Sequence, residues 1–275
     1  DDGASVGRAQ VYHNAVAMLG DAQISAFRFG LQRFALQVRR CIRYKHRATI
    51  DACFSVEFAH DHPKHPSPSK PSNDGDIHIA GHSDAIGLAT VAEVMNAKFE
   101  PEAVELANAA EGAECVPMTG AWRIWNEHGG DGVHSQLKPV PPAVHTNPDH
   151  VFEIHPVTKI GTIDMPNSLC PIPDFETKGA VDAFTSYGNI ACNIAHNAAN
   201  QTTTITTRQA AYNYPEFIME ITDTSPLVVP DGRFMFASVF DLSGELIVRK
   251  VRTVFIKDTR PEIIVRDLGN GARLH

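Results

Sequence analysis

The sequence predicts a mainly β protein with an N-terminal helix (α+β), arranged as two β-barrel or sandwich-like domains. Apolar residues recur every three to five positions over residues 9–40, which is a helical period. From Arg47 the period changes to two, which is typical of strands. Residues 161–180 are rich in proline and have no period, and the β pattern returns after them. We therefore expect a first domain over residues 1–160, a linker over 161–180 and an antiparallel β domain over 181–275.

The first domain contains five stretches that alternate apolar and polar residues and are predicted to be strands: residues 47–58, 76–80, 90–96, 116–128 and 150–160. A helix is predicted over residues 102–110, because Pro101 takes the first-turn position that proline favours and Gly112 follows its end. Two proline-rich loops are predicted at residues 59–75 and 129–149, with four prolines each, and the first cannot form regular structure. Loops of this length are more often functional than incidental, so we expect both to border a site.

The C-terminal half reads as a set of strands at residues 202–207, 217–221, 233–241, 245–257 and 262–267. It has one histidine before the terminal residue, His196, and few clustered acids. Its expected role is therefore structural or oligomeric. The last strand would be an open sheet edge, which is a natural surface for pairing with a second copy of the chain.

Composition excludes several classes of function. The net charge of −8 and the pI of about 5.9 argue against an extended nucleic-acid footprint, because that affinity comes from lysine and arginine at phosphates. No apolar run is long enough to cross a bilayer. The first residues carry neither an initiator methionine nor a signal pattern, so we expect a soluble chain that has been processed or trimmed. The sequence does not indicate the cellular compartment. The length of 275 residues favours two domains over one large β domain.

The five cysteines are widely spaced and form no C-x-x-C pair. Their odd number indicates neither a disulfide scaffold nor a zinc ribbon, and we predict small buried thiols. The cysteines are Cys41, Cys53, Cys115, Cys170 and Cys192.

Histidine is concentrated in the first domain, where ten of fourteen lie between His60 and His155. Several stand beside an acid on a predicted strand. On the strand 150–160, Glu153 and His155 must share one face, because successive side chains point to opposite faces. The same alternation places Asp76, His78 and Glu127 on polar faces of neighbouring strands.

These residues suggest a divalent metal site, because histidine with carboxylate suits zinc, manganese or non-haem iron. The predicted ligands are His78, His128, Glu153 and His155. Glu93 or Glu127 would act as general base, and Arg123 would hold an anion or developing charge. Asp76, Asn96 and Trp125 are placed as ligand-contacting residues. None of these spacings forms a helical H-E-x-x-H motif, and ion pairs on a solvated sheet face are the structural alternative.

The order of elements over residues 44–160 is strand, loop, strand, strand, helix, strand, loop, strand. This order resembles the oligonucleotide/oligosaccharide-binding (OB) barrel, whose sheet face and connecting loops carry ligands. The resemblance covers about two-fifths of the chain. It rests on the order of elements and carries no functional residue across.

Three hypotheses of function follow. The first is a metal-dependent hydrolase of a small or polyanionic ester. The second is a non-catalytic OB-like module that binds a ligand or partner through Trp125, Arg123 and the proline-rich loops. The third is a non-haem iron oxidoreductase with two histidines and one carboxylate at the metal. Metal content separates the second from the other two.

Overall fold

The computed structural model describes residues 34–38, 48–59, 75–124, 128–129, 133–135, 139–165, 178–189, 192–200, 202–207, 215–222, 226–268 and 270–275. The strands among them are β1 (Phe34–Val38), β2 (Ile50–Ala59), β3 (Ile77–His82), β4 (Ala89–Val94), β5 (Val116–Ile124), β6 (Val133–Ser135), β7 (Phe152–Ile160), β8 (Ile163–Asp164), β9 (Lys178–Gly179), β10 (Cys192–Asn197), β11 (Thr202–Thr207), β12 (Pro215–Glu216), β13 (Ile218–Ile221), β14 (Leu227–Val229), β15 (Gly232–Phe240), β16 (Leu246–Ile256) and β17 (Arg273–Leu274). The helices are α1 (Pro101–Ala109), α2 (Ala180–Asn189) and α3 (Arg260–Arg266), with a 3-10 turn at Ala97–Phe99.

Five strands close into a barrel in the pairing order β2, β3, β4, β7, β5 and back to β2. The β4–β7 pair is parallel and the other four are antiparallel. Helix α1 lies between β4 and β5 in the chain, at the predicted position. The closed five-strand barrel is compatible with the OB-like fold that the order of elements suggested.

The inner face of the barrel is the main apolar core. It is built from the alternate residues of each strand, because the side chains of a strand point to the two faces in turn. Ile50, Phe54 and Ile154 have no exposed surface, and the Trp122 ring stacks on Phe152 with centroids 4.8 Å apart. Helix α1 adds apolar side chains to the same core.

The short strand β8 pairs with β7 at the barrel, and the remaining strands form three further sheets. One has the order β10, β11, β1, β6, and a second consists of β9 and β12. The third joins β14, β15, β13 and β17, with β16 beside β15, around its own apolar core. The carboxylate of Asp231 accepts hydrogen bonds from the backbone N–H groups of Ala48 and Thr49 at 2.8 and 2.9 Å, which ties this third sheet to the chain entering β2.

Three sequence predictions are corrected by the structure. The helix predicted over 9–40 is wrong at Phe34–Val38, which is strand β1, because this segment pairs with β11 and β6; residues 9–33 lie outside the described residues. The last strand, predicted at 262–267, is helix α3. Cys53 and Cys115 are exposed and form a disulfide, not buried thiols, because the β2–β5 pairing brings the two positions together.

The structure also contains an element that the sequence pattern did not predict, helix α2 after the proline-rich stretch. The C-terminal strands at 202–207, 217–221, 233–241 and 245–257 are confirmed in outline as β11, β13, β15 and β16. Among the described residues, no helix is both long enough and apolar enough to cross a membrane.

Candidate metal centre

The outer face of β3, β4, β5 and β7 carries a buried polar network. The alternation that sends Ile154 into the barrel sends Glu153 and His155 outwards, as predicted from the sequence. Neither of these two side chains has any exposed surface. A buried charge must be paired or ligated, so the chemistry of this face depends on what its side chains contact.

Glu153 is the centre of one half of the network. Its Oε2 accepts hydrogen bonds from Nε and Nη2 of Arg123 at 2.7 and 2.6 Å. Its Oε1 lies 3.1 Å from Nε2 of His150, a histidine whose Nδ1 lies 2.6 Å from the carbonyl oxygen of Pro148. Burial raises the pKa of Glu153, but Arg123 and His150 lower it more, so the carboxyl pKa lies well below its usual range.

His155 is the centre of the other half. Its Nδ1 lies 2.7 Å from Oε2 of Glu93 and also contacts Nη2 of Arg123. Its Nε2 lies 3.6 Å from Oδ2 of Asp76. Burial and Arg123 lower the pKa of His155, while Glu93 and Glu153 raise it, and the net pKa is above the usual value. The imidazole is thus held between carboxylates on both sides of its ring.

Glu93 is a carboxylate at near-neutral pH despite its burial. Burial raises its pKa, but the neighbouring His155 and His78 lower it, and the pKa falls from 4.5 to about 2. The Oε1 atom of Glu93 lies 3.6 Å from Nε2 of His78, its cross-strand partner in the β3–β4 ladder. Glu93 therefore offers a charged oxygen at the middle of the face.

Asp76, Glu93 and His155 form a group that could hold a metal ion. One ligand atom from each lies within 4.8 Å of the others, and all three residues are buried. Metal bonds of about 2.0–2.2 Å separate neighbouring ligand atoms by roughly 3.0–3.6 Å, depending on coordination geometry. The 3.6 Å between His155 Nε2 and Asp76 Oδ2 is at the upper end of this range. These ligands lie on β4 and β7 and at the start of β3, and rigid elements hold ligands better than loops do.

The other predicted site residues occupy different places. Asn96 is buried after β4, and its backbone N–H donates to Asp76 Oδ1 at 3.3 Å. His128 stacks on His150 with ring centroids 5.3 Å apart and is not a member of the three-residue group. Burial and the proximity of His150 lower the pKa of His128. Trp125 and Glu127 lie outside the described residues.

Sequence reasoning did not assign a role to His150. Its ring is fully buried and holds Glu153, three residues further along the chain. The spacing His150-x-x-Glu153 was visible in the sequence, but its meaning depends on how the chain turns into β7. The backbone N–H of His150 donates to the carbonyl oxygen of His128 at 2.9 Å, and this contact fixes that turn.

Comparison of the chain with protein-family models, with curated proteins and with solved structures found no match. The side chains of this face are therefore the basis of the functional argument.

Proposed function

We propose that the chain is a metal-dependent hydrolase of a small or polyanionic ester, with a divalent zinc, manganese or iron ion held by Asp76, Glu93 and His155. The observation that carries this proposal is the convergence of their three ligand atoms within 4.8 Å on the outer face of the barrel. Charge supports it as well. Among the described residues the network has three carboxylates, including Glu153, and one guanidinium, that of Arg123, so one divalent ion would balance it.

Each side chain has a role in this proposal. A bound divalent ion would polarise an ester and lower the pKa of a bound water. His155 ligates only as neutral imidazole, so an ion and a proton compete for this side chain. His78 is the more accessible partner of Glu93, with 18 % of its side chain exposed, and in this proposal it would contact solvent beside the ion. Arg123 donates a hydrogen bond to Glu153 and so fixes the position of this carboxylate beside His155.

A non-catalytic module is the second candidate, and the complete burial of Glu153 and His155 favours it. Such a module would bind a ligand or partner and needs no ion; an ion held here would only stabilise the barrel without meeting a substrate. The iron oxidoreductase is less well supported, because the facial site of such enzymes has two histidines and one carboxylate. The group here has one histidine and two carboxylates, and His78 would have to join it.

The test is the metal content of protein purified without chelators or a histidine tag, measured by elemental analysis. The Glu93→Gln, Asp76→Asn and His155→Ala variants should lose the ion. Glu262→Gln is the matched control, because Glu262 is a buried carboxylate like Glu93. It is paired with Arg233 at 2.7 Å and lies far along the chain from the group. Equal metal content in Glu93→Gln and Glu262→Gln would refute the site.

Turnover then separates the two candidates. Bis(p-nitrophenyl) phosphate and p-nitrophenyl acetate are suitable probes of diester and ester hydrolysis. A hydrolase should cleave one of them in proportion to its metal content and lose this activity in Glu93→Gln. Protein that is fully loaded but inactive on both, and that melts at a higher temperature with metal than without, would support the non-catalytic module.

A further inference from the structure

A second acid–histidine pair, Glu57 and His82, lies on the outer face of the barrel away from the metal group. Glu57 Oε1 is 2.8 Å from His82 Nδ1, and Glu57 Oε2 accepts the backbone N–H of Ala143 at 2.5 Å. His82 shares a face of β3 with His78 but lies four residues further on, roughly 13 Å away at the usual strand rise. The pair is thus separate from the proposed ion.

The local backbone explains why Glu57 points there. The β2–β3 ladder pairs Val56 with Gly81 and Phe58 with Ala80, so Glu57 is the extra residue of a bulge. A bulge redirects the side chain at that position. Gly81 is required at the same point, because a Cβ atom there would lie 1.9 Å from the carbonyl oxygen of Ser55.

A cavity of about 340 Å³ adjoins this pair, between the end of the β3–β4 hairpin and the proline-rich loop that passes over it. Its volume lies at the lower end of the range for small-molecule pockets. Its lining is mostly apolar, with carboxylates from Glu57 and Asp149, and among the described residues it includes no lysine or arginine. The lining residues are Glu57, Gly81, Ala89, Val140, Pro141, Pro142, Ala143, Val144, His145, Pro148 and Asp149.

We propose that this cavity binds a small primary amine with an apolar body, its ammonium group placed against Glu57 and Asp149. A carboxylate can accept about four hydrogen bonds, so within the described part of the chain Glu57 retains acceptor capacity after bonding His82 and Ala143. Those two bonds hold the carboxylate in one orientation, which lowers the entropic cost of binding. The valine and proline side chains of the loop supply the apolar wall. His82 is a positioning residue in this arrangement.

Benzylamine is a suitable probe, with benzyl alcohol and benzoate as neutral and anionic comparators. In an NMR titration of the whole chain, benzylamine should shift the backbone amides of Gly81, Ala89 and Ala143 saturably. Benzyl alcohol should bind more weakly, and benzoate should not bind. The absence of saturable shifts with benzylamine, or equal shifts with benzoate, would overturn the proposal.

Variants test which groups hold the amine. Glu57→Gln keeps an acceptor for the Ala143 N–H but removes the charge, and should weaken benzylamine binding about tenfold, as expected for the loss of one charge-assisted hydrogen bond. Asp149→Asn should weaken benzylamine without affecting benzyl alcohol. Glu216→Gln is the matched control, because Glu216 is also paired with a histidine, His275, at 3.0 Å but does not line the cavity.

The variants also separate this site from the metal centre. Glu57→Gln and Asp149→Asn should leave the metal content unchanged, whether or not an ion is present. Unchanged benzylamine affinity in both variants would refute the assignment of Glu57 and Asp149. A fold check by the dispersion of the remaining amide signals excludes unfolding as the cause of any loss.

Discussion

Glu153→Gln should destabilise the protein far more than its small change in shape suggests. The substitution removes the buried charge that accepts two hydrogen bonds from Arg123, at 2.7 and 2.6 Å, and lies 3.1 Å from His150. Arg123 is only 4 % exposed and would keep its charge without this counterion. Removing one partner of a buried pair costs about 3–5 kcal/mol of the free energy of unfolding.

The expected change in melting temperature follows from the length of the chain. A cooperative unit of 275 residues has an unfolding entropy of roughly 0.6 kcal/mol/K, so the loss corresponds to a fall in Tm of about 5–9 °C. Differential scanning calorimetry gives this value directly, and urea unfolding gives the free energy.

Glu220→Gln provides the matched comparison. Glu220 accepts a hydrogen bond from Arg273 at 2.7 Å, the same distance, but this pair is exposed on the C-terminal sheet. Solvent screens such a pair, so its loss should cost less than about 1 kcal/mol. Equal shifts in Tm for Glu153→Gln and Glu220→Gln would contradict the prediction that burial raises the free energy lost when the Arg123–Glu153 pair is broken.

Two further predictions concern acid stability and the disulfide. Because the pKa of Glu93 is lower in the folded chain than its ordinary 4.5, its contribution is present above about pH 4.5 and is lost as the pH falls towards 2. Across this pH range the wild type should lose up to about 3 kcal/mol of the free energy of unfolding, as measured by thermal melts. The melting temperature should depend less steeply on pH in Glu93→Gln. An equal pH dependence in both proteins would contradict the lowered pKa of Glu93. Reducing the Cys53–Cys115 disulfide, which closes a loop of sequence separation 62, should lower the free energy of unfolding by about 2–4 kcal/mol. Urea unfolding with and without reductant measures this loss, and a reductant effect that persists in Cys53→Ser/Cys115→Ser would assign it to another cause.

The barrel strands could be predicted because their signal is local. The apolar side of each strand is fixed by alternation, and the positions of Phe54, Ile79 and Ile154 in the core follow from that pattern. The face shared by Glu153 and His155 was predictable for the same reason. Their complete burial was not, because alternation assigns a side chain to a face of the sheet but does not encode which other part of the chain covers that face.

Helix α3 illustrates a local pattern that tertiary context overrides. Ile263, Ile264 and Val265 are β-branched and favour a strand, and the sequence predicted one. The competing signal was Pro261 in the first turn, after Thr259 in an extended conformation, which is typical of a helix start. The buried Val265 packs into the C-terminal core, which a seven-residue helix can reach with one face.

The disulfide and the ligand group both depend on which strands are neighbours. Cys53 and Cys115 become adjacent only through the β2–β5 register, which pairs Cys53 with Pro117. Glu93 meets His155 through the parallel β4–β7 pair, and Asp76 is brought to Glu93 by the β3–β4 pair; spacing in the sequence encodes neither pairing. The sequence predicts Asp76, Glu93 and His155 as site residues but only His155 as a metal ligand, and it could not select this trio.

The parallel pairing of β4 with β7 has a consequence for how this protein can change over evolution or by design. Glu93 and His155 each follow the last paired residues of that seam, Ala92 and Ile154, so the contact that closes the barrel also builds the polar group. A substitution at Glu93 or His155 is therefore made directly beside the pairing that closes the sheet. We therefore expect stability and the proposed metal binding to be coupled at this seam, so variants selected for one should carry a measurable change in the other.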